Sequence, residues 1–218
     1  MALKPKDEAE MQVQDRILDA AEQLFCVKGY DGTSIRDITA KASCNIAAVN
    51  YHFGSKDNLY YSIFQRHLST LRDVRLTSIN RAMSQDNVSL ERLLHAFAIS
   101  FIEPLLDKSR SQIFMKLMVR EMLDPHLPKR LFADEMAIPT IKSFGRALMK
   151  LCPNLDNRDV VMSILSVIGQ LIHIVHLENI FDDKMIEGFT MPDLSEMVEH
   201  IVRFSTAGIQ ELCEKQDK

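Results

Sequence analysis

The sequence predicts an all-α chain: a small three-helix head on a larger helical body, about nine helices in all. Three observations lead there. Strand-like alternation of apolar and polar residues is never sustained. The breaks between apolar-periodic segments are short and carry helix-capping residues. Glycine and proline are sparse, at 7 each in 218 residues.

The first helix is expected from Met11 to Lys28, with Ile17, Ala20, Ala21 and Leu24 on one face and Gly29 in the left-handed position that ends it. Thr33 or Ser34 caps the second, where Ser34 and Asp37 have the spacing of a capping box. It ends near Ala42, and Ser43, Cys44 and Asn45 form a turn. Asn45 caps a third helix of under two turns, Ile46 to His52. Gly54 ends that helix, Ser55 caps the next, and a fourth runs from Lys56 to about Met83. Beyond it, helices are expected near Ser89–Asp107, Ser109–Leu123, Pro128–Leu151, Asn157–Phe181 and Pro192–Lys215. Pro128 and Pro192 suit first turns, whereas Pro139 should kink or split its helix.

Composition narrows the classes. With 46% hydrophobic and 26% charged residues the chain is a folded protein, not a disordered one. The net charge of −4 offers no global attraction to nucleic acid, so any such site must be local. The four cysteines, Cys26, Cys44, Cys152 and Cys213, lie far apart and read as reduced thiols of a cytoplasmic protein. The charged N-terminus lacks the apolar core of a signal peptide. Val160 to Phe181 is interrupted by Ser163, Gln170, His173, His176 and Glu178, which argues against a membrane span. There is no glycine-rich phosphate loop, no His-x-x-Glu metal set and no nucleophile signature, so no enzymatic role is expected. His173 and His176 stand at i and i+3 without acidic or thiolate ligands nearby in sequence. Neither a metal nor a cofactor is expected.

The stretch "CNIAAVNYHFGSKDNLY" carries the function. Two short helices joined by a polar turn make a helix-turn-helix, whose second helix fits the major groove of DNA. Ile35, Ile38, Ala42, Val49 and Phe53 have the spacing of its apolar seam. Asn45, Ala47, Ala48, Asn50, Tyr51 and His52 are then left outside. Small Ala47 and Ala48 permit close approach to base edges, Tyr51 and His52 can donate to phosphate, and Lys56 adds a cation at the fourth helix. Between Met11 and Tyr60 five cations face six carboxylates, so binding must rest on which residues face the duplex.

The segment "RILDAAEQLFCVKGYDGTSIRDITAKASCNIAAVNYHFGSKDNLY" resembles the DNA-binding head of TetR/AcrR-family transcriptional regulators. The resemblance is strong over about Met11–Arg72 and extends to the body in helical layout; with the later "MVREMLDP" it looks most like the CecR-like subgroup. It implies a helix-turn-helix domain over 10–70, with the motif at 34–53, and an effector-binding and dimerisation domain over 71–218. By it Ser34, Arg36, Asn45, Ala48, Asn50, Tyr51, His52 and Lys56 occupy DNA-facing positions. Many relatives have tyrosine where Asn50 stands and glycine near Ala47, so individual base contacts do not transfer.

In the body, the helix from Asn157 is apolar nearly all round and must be covered on every side, and a partner's helix does this economically. Val167 and Leu171 there, with Leu194, Met197, Ile201, Phe204 and Gly208 of the last helix, are the expected dimer seam. Ten of the 12 methionines lie at or beyond Met83, and adaptable Met suits a cavity for apolar ligands. Phe97, Phe101, Phe114, Met118, Phe144 and Met162 are candidate effector contacts, with Arg120 and His173 as polar ones; Arg120 and Glu121 are expected to form an ion pair or polar anchor. The resemblance thus implies a homodimeric repressor on palindromic operator DNA, released by a small, largely apolar effector, with no membrane partner. A redox-responsive regulator acting through Cys26 or Cys44 and a helical enzyme using the body cavity are the alternatives.

Overall fold

A computed structural model describes residues 5–106, 110–180 and 192–215, with side chains at 11–104, 113–174 and 192–214. Among the described residues it contains nine α-helices, one π-helical turn and no strand. Helix α1 (Pro5–Lys28) ends where Gly29 takes φ +79° and its N–H donates to the Phe25 carbonyl at 3.0 Å. A Cβ there would be strained and would also meet the Arg120 guanidinium at 3.0 Å, which favours glycine. Helix α2 (Ile35–Ala42) opens with a complete capping box: the Ser34 hydroxyl accepts from the Asp37 N–H at 3.1 Å, and the Ser34 N–H donates to the Asp37 carboxylate at 3.0 Å. Ser43, in the left-handed conformation, closes it. Helix α3 (Ile46–Phe53) starts at Asn45, whose Oδ1 accepts from the Ala48 N–H at 2.9 Å. Gly54, at φ +76°, ends it, and the Ser55 hydroxyl accepts from the Asn58 N–H at 3.1 Å to open α4 (Lys56–Met83).

The chain forms two compact units. The first contains α1, α2, α3, α4 through Ser69, and α6 (Arg110–Leu123) with the segment to Phe132. Sequence reasoning assigns α6 to the body; the structure places it against α1. The cause is Phe114, buried with its ring stacked on His67 at 4.3 Å and edge-on to Phe64 at 5.6 Å, beside buried Leu117. Burying one such ring is worth about 1.5–3 kcal/mol, enough to fix the helix there.

The same unit buries a carboxylate. Glu22 accepts from Arg66 and from the His67 ring nitrogen, each at 2.7 Å, and Arg66 also reaches Asp19 at 2.9 Å. Burial acts to raise the Glu22 carboxyl, but the hydrogen bond and charge of His67 and of Arg66 outweigh it and hold the group below its ordinary value of 4.5. A carboxyl depressed on folding stabilises above its unfolded value and loses that contribution as pH falls through the folded one. Urea unfolding at pH 7 and below pH 4 should therefore show a larger acid loss for the parent than for Glu22→Gln. Equal losses would mean that the network carries no pH dependence.

The second unit contains α4 from Thr70, α5 (Leu90–Leu106), a π-helical turn (Ala133–Ala137), α7 (Ile138–Leu151), α8 (Asn157–Ile180) and α9 (Leu194–Lys215). Its core joins Leu93, Phe97 and Phe101 of α5 to Phe144 and Leu148 of α7, Ile164 and Leu171 of α8, and Val198 and Ile201 of α9. Pro139 acts as expected on its helix. The π turn interrupts α-helix begun at Leu131 and Phe132, regular α-helix resumes at Ile138, and the Glu135 carbonyl that proline cannot satisfy accepts instead from Arg72 at 3.2 Å. Pro128 lies ahead of that helix rather than in its first turn. Among the described residues no helix is long and apolar enough to cross a membrane.

Candidate nucleic-acid interface

Helices α2 and α3 close on Ile38, Ala42, Val49 and Phe53, all buried, with Ile35 partly so. That seam turns Asn45, Ala47, Asn50 and Tyr51 outward, with Ala48 and His52 half-buried beside them. Tyr51 is 75% exposed, its ring edge-on to His52 at 5.0 Å. An aromatic ring so exposed contributes little to the fold, and its hydroxyl is free to donate outward. Two alanines in the first turn keep the helix surface low enough for close approach. Arg36 and Lys41 are exposed on α2.

Lys56 is held in place by a residue that sequence reasoning overlooks. Its ammonium lies over the Tyr30 ring, 4.1 Å from the centroid, while the Tyr30 hydroxyl donates to Asp57. Tyr30 in turn packs on Phe25 and Tyr60. The cation–π contact fixes a charge at the start of α4 that would otherwise wander. The only sequence signal was the Gly29-Tyr30 pair.

Two DNA-facing candidates are engaged in capping. The Ser34 hydroxyl donates to Asp37 at 2.7 Å while accepting from its N–H. Those bonds, with Lys28 at 3.3 Å, pull the Asp37 carboxyl down to about 2. Ser34 therefore sets where α2 begins. Asn45 spends its oxygen on the Ala48 N–H, a cap that does not use its amide donors.

The effector candidates divide between the units. Phe97 and Phe144 are fully buried and stacked at 4.4 Å, and Phe101 is buried beneath Arg75. They are core residues of the second unit. Phe114 and half-buried Met118 belong to the first unit, as does exposed Arg120, which donates to the Val27 carbonyl at 3.3 Å. Glu121 does not pair with it: its Oε1 accepts from the His126 and Leu127 N–H groups at 2.8 and 2.7 Å. Met162 is 58% exposed and His173 is exposed, so neither lines an interior. They sit on the face of α8 that the core does not cover. The His176 side chain lies outside the described residues.

The dimer candidates need a similar correction. Val167, Leu171 and Ile201 are buried in their own chain's core, and Leu194 and Met197 pack against it. A helix apolar all round gave no sign of which face its own chain would take. Of the expected seam, Phe204, at 65% exposure, and Gly208, with open space around it, face outward. Val161, Leu165 and Ile172 of α8 are exposed as well. Cys26 and Cys44, the two candidate sensors, are both half-buried. Burial pushes the Cys44 thiol up against the opposing pull of Arg16, and burial with a hydrogen bond to Cys213 pushes Cys152 up to about 12. The reactive thiolate is thereby suppressed at both.

Residues 17–63 match the model of bacterial regulatory proteins of the tetR family, and residues 99–208 match the tetracyclin repressor-like C-terminal domain. The chain is 29% identical over 203 residues to YvkB of Bacillus subtilis (strain 168), an uncharacterized HTH-type transcriptional regulator, covering 89% of this chain and 95% of YvkB. It is 32% identical over 90 residues to IcaR of Staphylococcus aureus, the negative transcriptional regulator of the biofilm operon icaADBC. That match covers 41% of this chain and 46% of IcaR, so the chain spans about half the length of that relative. The fold is similar to that of the flavonoid-responsive regulator FrrA, with a TM-score of 0.67 at 18% identity, covering 91% of this chain and 95% of that one.

Proposed function

The chain belongs to the TetR family of bacterial transcriptional regulators, and from that premise we propose that it is a homodimeric repressor of a palindromic operator, released by a small molecule bound in its helical body. The outward face of α3 carries this reading. Asn45, Ala47, Asn50 and Tyr51 stand clear of the fold, with Lys56 anchored beside them, and none is needed for the apolar seam. The likeness to IcaR, a negative regulator, favours repression.

Dimerisation follows from the second unit. Val161, Leu165 and Ile172 of α8 and Phe204 of α9 leave large apolar side chains in water, the pattern of a surface meant to be covered. On a palindromic operator, the two α3 helices of such a dimer would enter successive major grooves, about 34–36 Å apart. Helix α4 belongs to both units and would carry an effector-driven shift to α3. Because Phe204 is exposed, Phe204→Glu should leave each subunit folded while placing an unpaired charge in the interface, costing several kcal/mol of association. Sedimentation should show folded monomers. A variant that remains dimeric would move the interface elsewhere.

Selection of bound fragments from random duplex DNA tests the whole reading. It should enrich one inverted repeat whose half-sites lie a helical turn or a multiple of it apart. No enrichment, or an enriched single half-site with no symmetry, would contradict it.

A further inference from the structure

Arg75, on α4 in the second unit, is only 6% exposed, and among the described residues no carboxylate pairs with it. Its Nε has no hydrogen-bond partner, its Nη1 meets the Met136 thioether at 3.2 Å, and its guanidinium lies 4.1 Å from the Phe101 ring centroid. Sulfur is among the weakest acceptors a protein offers, and Phe101 covers one face without neutralising the charge. The nearby Glu135 carboxylate goes elsewhere: Arg72, one turn back, holds it at 3.4 Å along with Asp73 at 2.9 Å. Burial lowers the Arg75 guanidinium only to about 10, so it remains a cation at neutral pH. An isolated buried charge is among the costliest groups a fold can keep, and a side chain that cannot shed its proton gains by acquiring an anion.

The surroundings suit an arriving anion. Met136 sits in the π-helical turn, half-buried and so reachable from solvent, and its flexible side chain occupies the guanidinium's edge where an oxygen acceptor would bind. One turn beyond, the Thr140 hydroxyl is buried with no hydrogen-bond partner.

We propose that Arg75 anchors the effector through a carboxylate, which displaces the Met136 thioether from the guanidinium edge, and that the effector is an organic acid with an apolar body. The proposal rests on the reading of the body as an effector-binding unit and gives that effector a charge. A planar carboxylate matches the guanidinium fork with two parallel bonds, while Phe101 and Met136 supply apolar contact. It also moves the anion's anchor from Arg120, which is exposed on the first unit, to a residue in the second.

Calorimetric titration of the full-length protein tests this with decanoate and benzoate against decanol and benzyl alcohol. At least one of the two acids should bind, with its alcohol weaker by about 30-fold or more. Arg75→Met should lose the acid by about 100-fold and leave the alcohol unchanged. Without ligand, Arg75→Met should resist urea as well as the parent or better, because it removes an uncompensated charge. Acids and alcohols binding alike, neither acid binding, an Arg75→Met variant that still holds the acid, or one that unfolds more readily would each overturn the proposal. Acetate binding as tightly as the larger acids would overturn the apolar body. A gel shift with the bound acid keeps the two readings apart. If the acid binds through Arg75 and the operator is still held, the anchor stands and effector release falls.

Discussion

Phe97→Ala is expected to lower the unfolding free energy by about 3–5 kcal/mol, the usual cost of emptying a buried aromatic site. Phe97 has no exposed surface, stacks on Phe144 at 4.4 Å with the rings 15° from parallel, and tilts against Phe101 at 6.2 Å. The substitution removes the ring's burial and the stack together, and the second unit has helices on several sides that cannot collapse into the gap. For a chain of this length the melting temperature should fall by roughly 6–20 °C. Circular dichroism against temperature and urea reads both quantities. The experiment also decides what Phe97 is. A cavity wall loses little when truncated, so a loss under about 1 kcal/mol would make it a ligand contact after all.

The local signals in the sequence were strong because each had a short-range cause. Ser34, Asn45 and Ser55 cap within three residues, and Gly29 and Gly54 stop helices through backbone conformations open to few other residues. The bounds of α4 at Lys56 and Met83 followed from such signals. The seam of Ile38, Ala42, Val49 and Phe53 was readable because helical spacing puts those positions on one face.

What needed the structure was long-range. Nothing in the sequence near Phe114 says that its ring will meet His67, 47 positions earlier, and so hold α6 to the first unit. Tyr30 and Lys56 are likewise distant in sequence and adjacent in space. On α8 the apolar content showed that every face wants cover, but periodicity cannot tell Val167 and Leu171, which the chain covers itself, from Leu165 and Ile172, which it leaves bare. Methionine composition could not tell the two apart either: Met162 lies outside, while Met136 meets the buried Arg75 guanidinium. Arg75 could not be singled out among 26 Lys and Arg residues, since only its burial with an unsatisfied Nε sets it apart.

The central claim is that the outward face of α3 reads DNA, and the Asn50→Ala, Tyr51→Ala double variant addresses it. Both side chains are exposed and lie outside the seam, so the variant should keep the parent's helical content, with its unfolding free energy within about 0.5 kcal/mol of the parent's. Each lost contact to a base edge or phosphate is worth about 1–3 kcal/mol, so together they should weaken binding by about 30-fold or more. Neither residue is a cation, so the dependence of affinity on salt should keep its slope while the whole line shifts down. The decisive measurement is the dissociation constant of this variant for the selected inverted repeat, beside that of the parent. A loss of about 30-fold or more in a fully folded protein is the predicted result; an affinity equal to the parent's would contradict the account and remove α3 as the reading helix.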